Sequence, residues 1–162
     1  MADFNDNALS TTVAEFNESS YGAFGVTGNV AIEKDVQKMI AETVAHFDRI
    51  DILVNNAGVG DNMQVATNVE DTVWQRVMDI NVTGMMRAIR QALPVFIENG
   101  GGTIVNMASI ADLTGGRGGL AYTTAKHAVV GMTKNIASHY GTQNSRCNAI
   151  APGYVETVLQ QR

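Results

Sequence analysis

Cysteine is almost absent: Cys147 is the single one among 162 residues, so no internal disulfide can form. It stands in Ser145-Arg146-Cys147-Asn148-Ala149-Ile150, which reads as a strand entering the core. A buried structural thiol is the expectation there, not a nucleophile. Clustered basic residues are missing too. A net charge of −5 with no Lys/Arg run argues against a nucleic-acid surface. No window holds the eighteen or so apolar residues of a membrane span. Residues 1–10 lack the basic-then-apolar order of a signal peptide, so a cytoplasmic protein with no membrane partner is the expectation. His46, His127 and His139 are scattered, with no carboxylate or cysteine at ligand spacing, and no metal site is expected. What is present, 45% apolar and 17% charged residues, describes an ordinary globular chain. Its length fits one domain with a sizeable core.

Hydrophobic periodicity orders the chain. Leu9 to Asn17 reads as a short helix, and Ala23 to Val30 as a strand with the turn after it. From Glu33, Val36, Met39, Ile40, Val44 and Phe47 recur at helical spacing. Ile50 to Val54 is a short apolar run that ends in Asn55-Asn56-Ala57-Gly58, a strand entering a turn. A long helical region spans about Glu70 to Ile97 and stops at Gly100-Gly101-Gly102. Thr103 to Met107 reads as a buried strand, Tyr122 to Tyr140 as a helix, and Cys147 to Ala151 as a strand broken by Pro152-Gly153. Such alternation predicts an α/β fold, a doubly wound parallel sheet in a three-layer α/β/α arrangement. Ligands of these sheets bind beyond the carboxyl ends of the strands. Asn56, Ser109 and Pro152-Gly153 all fall just past such ends.

The chemistry concentrates around Tyr122. Lys126 follows it by four residues, one helical turn, which places both on one face. A phenol has an unperturbed pKa of about 10. A neighbouring ammonium favours the phenolate and moves the group toward proton transfer near neutral pH. Ser109, thirteen residues earlier, offers a hydroxyl from another segment that holds the substrate oxygen. The trio suits interconversion of a carbonyl and an alcohol. On its own, Tyr-x-x-x-Lys is usually only a polar helix face.

Several such signals in order resemble the short-chain dehydrogenases/reductases: Asn55-Asn56-Ala57-Gly58 after a strand, Asn81 in Asp79-Ile80-Asn81-Val82-Thr83-Gly84, Ser109, the Tyr122/Lys126 pair, and Pro152-Gly153 with Thr157 beyond. The resemblance implies a Rossmann-like domain, residues 1–162, that binds a dinucleotide and moves hydride between nicotinamide and a carbonyl or alcohol substrate. It implies catalytic roles for Asn81, Ser109, Tyr122 and Lys126. Asn81 would bend its helix and hold a water leading to Lys126, which would also grip the cofactor ribose. Asn56, Ala57 and Gly58 would meet the adenosine half of the cofactor, although Gly58 also reads as a turn glycine that needs positive φ. Pro152, Gly153 and Val155 would line the nicotinamide, with Thr157 near its carboxamide or the phosphates.

Asn29-Val30 resembles the family segment that meets the adenine ring, with Asn29 where an acid is usual. Asp3 is either the aspartate that binds the ribose 2′-OH, favouring NAD over NADP without excluding NADP, or a solvated terminal aspartate. Relative to the family, the first strand with its glycine-rich turn, the C-terminal lid and the last strand have no counterpart. The Ala23 strand is expected to slide inward beside the Leu53 strand and fill the gap. The alternative function is a catalytically inactive interaction module. In either case a homodimer or homotetramer is expected through the long helix before Ser109 and the Tyr122 helix. Met85, Met86, Ile89, Leu93, Val129, Val130 and Met132 would supply that surface or else face the sheet.

Overall fold

The computed structural model describes residues 1–155; Thr157 lies outside the described residues. Strand β1 (Ala2–Asp3) leads to helix α1 (Asp6–Glu18), which Asn5 caps by accepting the Ala8 N–H at 3.1 Å. Strand β2 (Val26–Thr27) precedes α2 (Glu33–Phe47), whose last turn closes on Asp48 in the left-handed region. Strand β3 (Ile52–Asn55) follows, then α3 (Asp71–Met78), a π-helical turn (Asp79–Gly84) and α4 (Met85–Glu98). Gly100 and Gly101, at φ +84° and +133°, end that helix in conformations that glycine tolerates. Strand β4 (Gly102–Met107), a 3-10 turn (Ile110–Asp112), α5 (Leu120–Tyr140) and β5 (Ser145–Ile150) complete the described chain.

All strand pairs are parallel. The architecture is Rossmann-like α/β, as the alternation predicts. Strands β3, β4 and β5 form one sheet in that order, and β1 pairs with β2 in a second. The inward slide of the Ala23 strand does not occur. Val26 and Thr27 pair with Ala2 and Asp3, and no ladder joins β2 to β3. The physical reason is local: α1 packs its Leu9 and Val13 against Gly25 and returns β2 directly beside β1. A parallel β1–α1–β2 unit of that kind leaves β2 no reason to abandon its neighbour.

One face of the three-stranded sheet holds the core. Ile104 and Cys147 meet Met85, Ile89, Leu93 and Phe96 of α4 and Val129 and Ile136 of α5. A buried polar chain runs through the same layer. Asn55 Nδ2 donates to Asn106 Oδ1 at 2.9 Å, Asn106 Nδ2 donates to Thr133 Oγ1 at 2.9 Å, and Thr133 donates to Val129 O at 2.8 Å. Asn55 and Asn106 are direct register partners. The opposite face carries Ile52, Val54 and Ile150, each at least half exposed. Replacing Ile104 by alanine is therefore expected to cost about 2–5 kcal/mol in urea unfolding. Val54→Lys, on the open face, is expected to change stability by no more than about 0.5 kcal/mol. Equal losses from the two substitutions would contradict this assignment of faces.

Candidate active site

The register fixes where each strand stops. β3 ends at Asn55, β4 at Met107 and β5 at Ile150, so three carboxyl ends share one rim. Beyond the strands the pairing continues: Ala108 N donates to Ile150 O at 2.8 Å and Ile110 N to Pro152 O at 3.0 Å. Ser109 is held between those two contacts, alongside the segment that carries Pro152. Its own oxygen accepts the Ala111 N–H at 3.1 Å, and Asp112 accepts the Ser109 N–H at 3.0 Å, a reciprocal cap on the short 3-10 turn. The hydroxyl proton of Ser109 is left for another acceptor.

Helix α5 brings Tyr122 and Lys126 to this rim. The Lys126 ammonium lies 5.4 Å from the Tyr122 ring centroid, within the range of a cation–π contact. Lys126 is only 5% exposed, and its Nζ donates to Met107 O at 2.7 Å. Burial pulls its pKa down to about 8, against the opposing pull of the Asp112 charge. The ammonium thus predominates at neutral pH and gives way to the amine as pH rises through about 8. One of its three hydrogens is taken by Met107, which leaves two for oxygen ligands.

Asn81 is fully buried within the π-helical turn. Its amide grips Val59 from both sides, with Oδ1 accepting the Val59 N–H at 2.8 Å and Nδ2 donating to Val59 O at 2.9 Å. The helix irregularity expected of Asn81 is present, and the side chain uses it to hold the segment after the Asn55-Asn56-Ala57-Gly58 turn. Gly58 is not among the positive-φ residues, so the turn reading of it is corrected. Its role is spatial: a Cβ there would lie 3.2 Å from Asn81 Oδ1 and 3.8 Å from Lys126 Nζ. Gly58, Asn81, Tyr122 and Lys126 are thus drawn together, with Ser109 two residues beyond Met107.

The remaining sequence candidates are more dispersed. Asn56 and Ala57 are exposed at the rim, Pro152 is half-buried, and Gly153 and Val155 are exposed. Asp3 ends β1, and Asn29 lies two residues past the end of β2. The Asp3 carboxylate is exposed and accepts the Asn5 N–H at 2.8 Å; Asn29 Oδ1 accepts from Ala31 N at 2.9 Å, leaving its amide N–H groups. Val30 packs on the π-helical turn, where a Cβ on Gly84 would fall 2.9 Å from the Val30 Cβ.

Two residues escape the sequence reading. Asp112 caps the serine turn. Asp61, 2% exposed, accepts the Gly119 N–H at 3.0 Å and the Tyr122 N–H at 2.8 Å across 58 and 61 residues of chain. Gly60-Asp61-Asn62 carries only a turn signal, and nothing local announces a partner so distant. Among the described residues, no group of His, Cys, Asp and Glu could hold a metal ion. No described helix is long and apolar enough to cross a membrane.

Comparison with known proteins agrees with this geometry. The sequence model described as "short chain dehydrogenase" matches residues 1–162. The chain is 43% identical over 157 residues to a 3beta-hydroxysteroid dehydrogenase 2 of Eggerthella lenta, covering 96% of this chain and 60% of that protein. Among solved structures, an NAD+-bound xylitol dehydrogenase superposes with a TM-score of 0.92 at 32% identity, over 96% of this chain and 60% of the other. A gluconate 5-dehydrogenase from Burkholderia cenocepacia, in complex with NADP and tartrate, superposes with a TM-score of 0.93 at 28% identity. That match covers 99% of this chain and 63% of the other. The chain therefore spans about 60% of the length of these relatives.

The buried ammonium makes stability depend on pH. The unfolded chain holds the Lys126 proton up to about 10.5, the folded chain only to about 8. In that interval the unfolded state binds more protons, so the Lys126 contribution to stability rises with pH. The rise is on the order of 3 kcal/mol over the interval. Denaturation at stepped pH should show it in the native sequence and not in Lys126→Met.

Proposed function

The chain belongs to the short-chain dehydrogenase family, and from that membership we propose that it serves the interconversion of a carbonyl and an alcohol, with Tyr122 exchanging the proton. The observation that carries this reading is the packing of the Lys126 ammonium, buried at the strand-end rim, against the Tyr122 ring at 5.4 Å. A nicotinamide cofactor would supply or accept the hydride. In the reducing direction, Ser109 donates its free hydroxyl hydrogen to the substrate oxygen and orients it. Tyr122 then gives its phenolic proton to that oxygen as negative charge develops there, and the Lys126 ammonium stabilises the phenolate left behind. In the oxidising direction the same groups take the proton back.

The residues present suit the ribose and nicotinamide half of such a cofactor. Lys126 has two ammonium hydrogens for a diol, Pro152 O meets the residue after Ser109, and Gly153 and Val155 beyond it are exposed. Thr157 is assigned to the carboxamide or phosphates on the resemblance alone. Asn56, Ala57 and Gly58 at the end of β3, with Asn29 and Val30, are proposed for the adenosine half. The exposed Asp3 carboxylate at the end of β1 favours NAD, because it can accept from a ribose 2′-OH and repels a 2′-phosphate. The substrate is a small alcohol or carbonyl compound, and the setting proposed is cytoplasmic.

A second reading, interaction through copies of this chain, is favoured by one surface. Met85, Ile89, Leu93 and Val129 turn to the sheet and are buried. Met86, Pro94, Ile97, Met132 and Tyr140 line an open groove between α4 and α5, with the buried Ile89 and Leu93 at its floor. A homodimer or homotetramer assembled there is compatible with catalysis or independent of it.

Tyr122→Phe is expected to lower turnover by roughly 100- to 10,000-fold while calorimetry still detects NADH binding. Loss of binding in that variant would assign the phenol to recognition instead of proton transfer. Sedimentation velocity should show an assembly that Met132→Lys dissociates; a monomer at all concentrations would remove the interface.

A further inference from the structure

The start of α5 has no cap of its own. Gly119 precedes the helix and its first N–H groups have no side-chain partner from the adjoining sequence. An uncapped helix end leaves up to four donors unsatisfied. Here those of Leu120 and Tyr122, with that of the cap residue Gly119, are met from a distance. Asp61 takes the Gly119 N–H with one carboxylate oxygen and the Tyr122 N–H with the other, and Gln64 O accepts the Leu120 N–H at 2.8 Å. The turn that does this is tight: Asn62 and Met63 both lie in the left-handed region at φ +54° and +59°, and the Met63 N–H also points to Asp61 Oδ1 at 3.2 Å. Gly119 is required by the arrangement, since a Cβ there would sit 2.5 Å from the carboxylate.

The same short segment is anchored at its other end. Asn81 holds Val59, and Arg76 Nη2 donates to Gly60 O at 3.0 Å. Residues 58–61 therefore run from the turn at the end of β3, beside Lys126 Nζ, directly to the backbone of Tyr122. The geometry points to Asp61 as a positioning residue: it holds the Tyr122 backbone and sets the phenol against the rim defined by Gly58, Asn81 and Lys126. Asp61 touches none of the reacting atoms and acts through Tyr122. An anionic carboxylate at a helix N-terminus is favoured by the helix dipole as well as by its hydrogen bonds. This inference rests on the role proposed for Tyr122, but the contact itself is measurable without turnover.

The test compares the unsubstituted chain with Asp61→Asn and Asp61→Ala by amide hydrogen exchange and by kinetics. In Asp61→Ala the Tyr122 and Gly119 amides should exchange at least tenfold faster, while Val129 and Ile136 amides in the same helix keep their rates. Asp61→Asn, which retains one acceptor oxygen, should recover part of the Tyr122 protection. With NAD(H) present, kcat should fall on the order of 100-fold in Asp61→Ala, as expected for a misplaced catalytic group, with the KM for cofactor unchanged. Unaltered exchange at Tyr122 in a folded Asp61→Ala chain overturns the proposal. So does a change confined to cofactor KM. If neither variant folds, a scalar coupling across the hydrogen bond between the Tyr122 amide nitrogen and the Asp61 carboxylate carbon decides it in the unsubstituted chain; its absence is equally fatal. If the unsubstituted chain neither binds NAD(H) nor turns over, the proposed reaction fails, and the exchange data still judge Asp61.

Discussion

A buried run of amide and hydroxyl groups, Asn55 to Asn106 to Thr133, holds the three-stranded sheet in one register against α5. Everything at the rim depends on it. A strand slipped by one residue would turn its amide to the opposite face and leave the others buried without partners. The same slip would turn Ile104 out of the core, but apolar packing lacks the directional pairing of the hydrogen-bonded chain. The polar chain thus supplies the specificity, and the apolar layer supplies most of the cohesion. Given that register, Met107 and Ile150 end level, Asn55 ends one residue short beside Asn106, and the segments of Ser109 and Pro152 meet beyond them.

The rim then concentrates one cation in a dry place. Lys126 lies under Gly58 and beside the Tyr122 ring, with a single backbone carbonyl as its fixed partner. Desolvation weakens its hold on the proton, and Asp112 opposes that tendency. Asp112 is the same carboxylate that caps the Ser109 turn, so serine orientation and lysine charge are linked through one side chain. The ammonium is consequently close to the limit of its charged range, which makes its influence on a neighbouring phenol sensitive to what is bound there.

Much of this was legible in the sequence, for identifiable reasons. The helix carrying Tyr122 and Lys126 follows from a periodic pattern with local spacing, and the strand ends follow from apolar runs cut by glycine, asparagine or proline. Those signals are local in the chain and survive folding intact. The contacts that escaped are long-range. Asp61 reaches Tyr122 across 61 residues, and no pattern near Asp61 encodes that destination. Gly58 was legible as important but not as to why, because its demand for space arises from Asn81 and Lys126, which are remote in sequence. The expected shift of β2 toward β3 failed similarly: reasoning from an empty lattice position ignored how firmly α1 returns β2 to β1.

The π-helical turn between α3 and α4 separates two allegiances within what looks like a single helix. On one side Val77 packs with Ala121 and Ala125 of α5; on the other Met85, Ile89 and Phe96 address the sheet. Successive α-helical residues are offset by about 100°, so an unbroken helix could satisfy only one of those orientations or a compromise between them. The wide turn acts as a phase shifter, uncoupling the azimuth of α3 from that of α4 and leaving Asn81 at the node. Excising one residue from 79–84 would hardly shorten the rod, yet it would rotate one half against the other and force the molecule to choose which neighbour to desert.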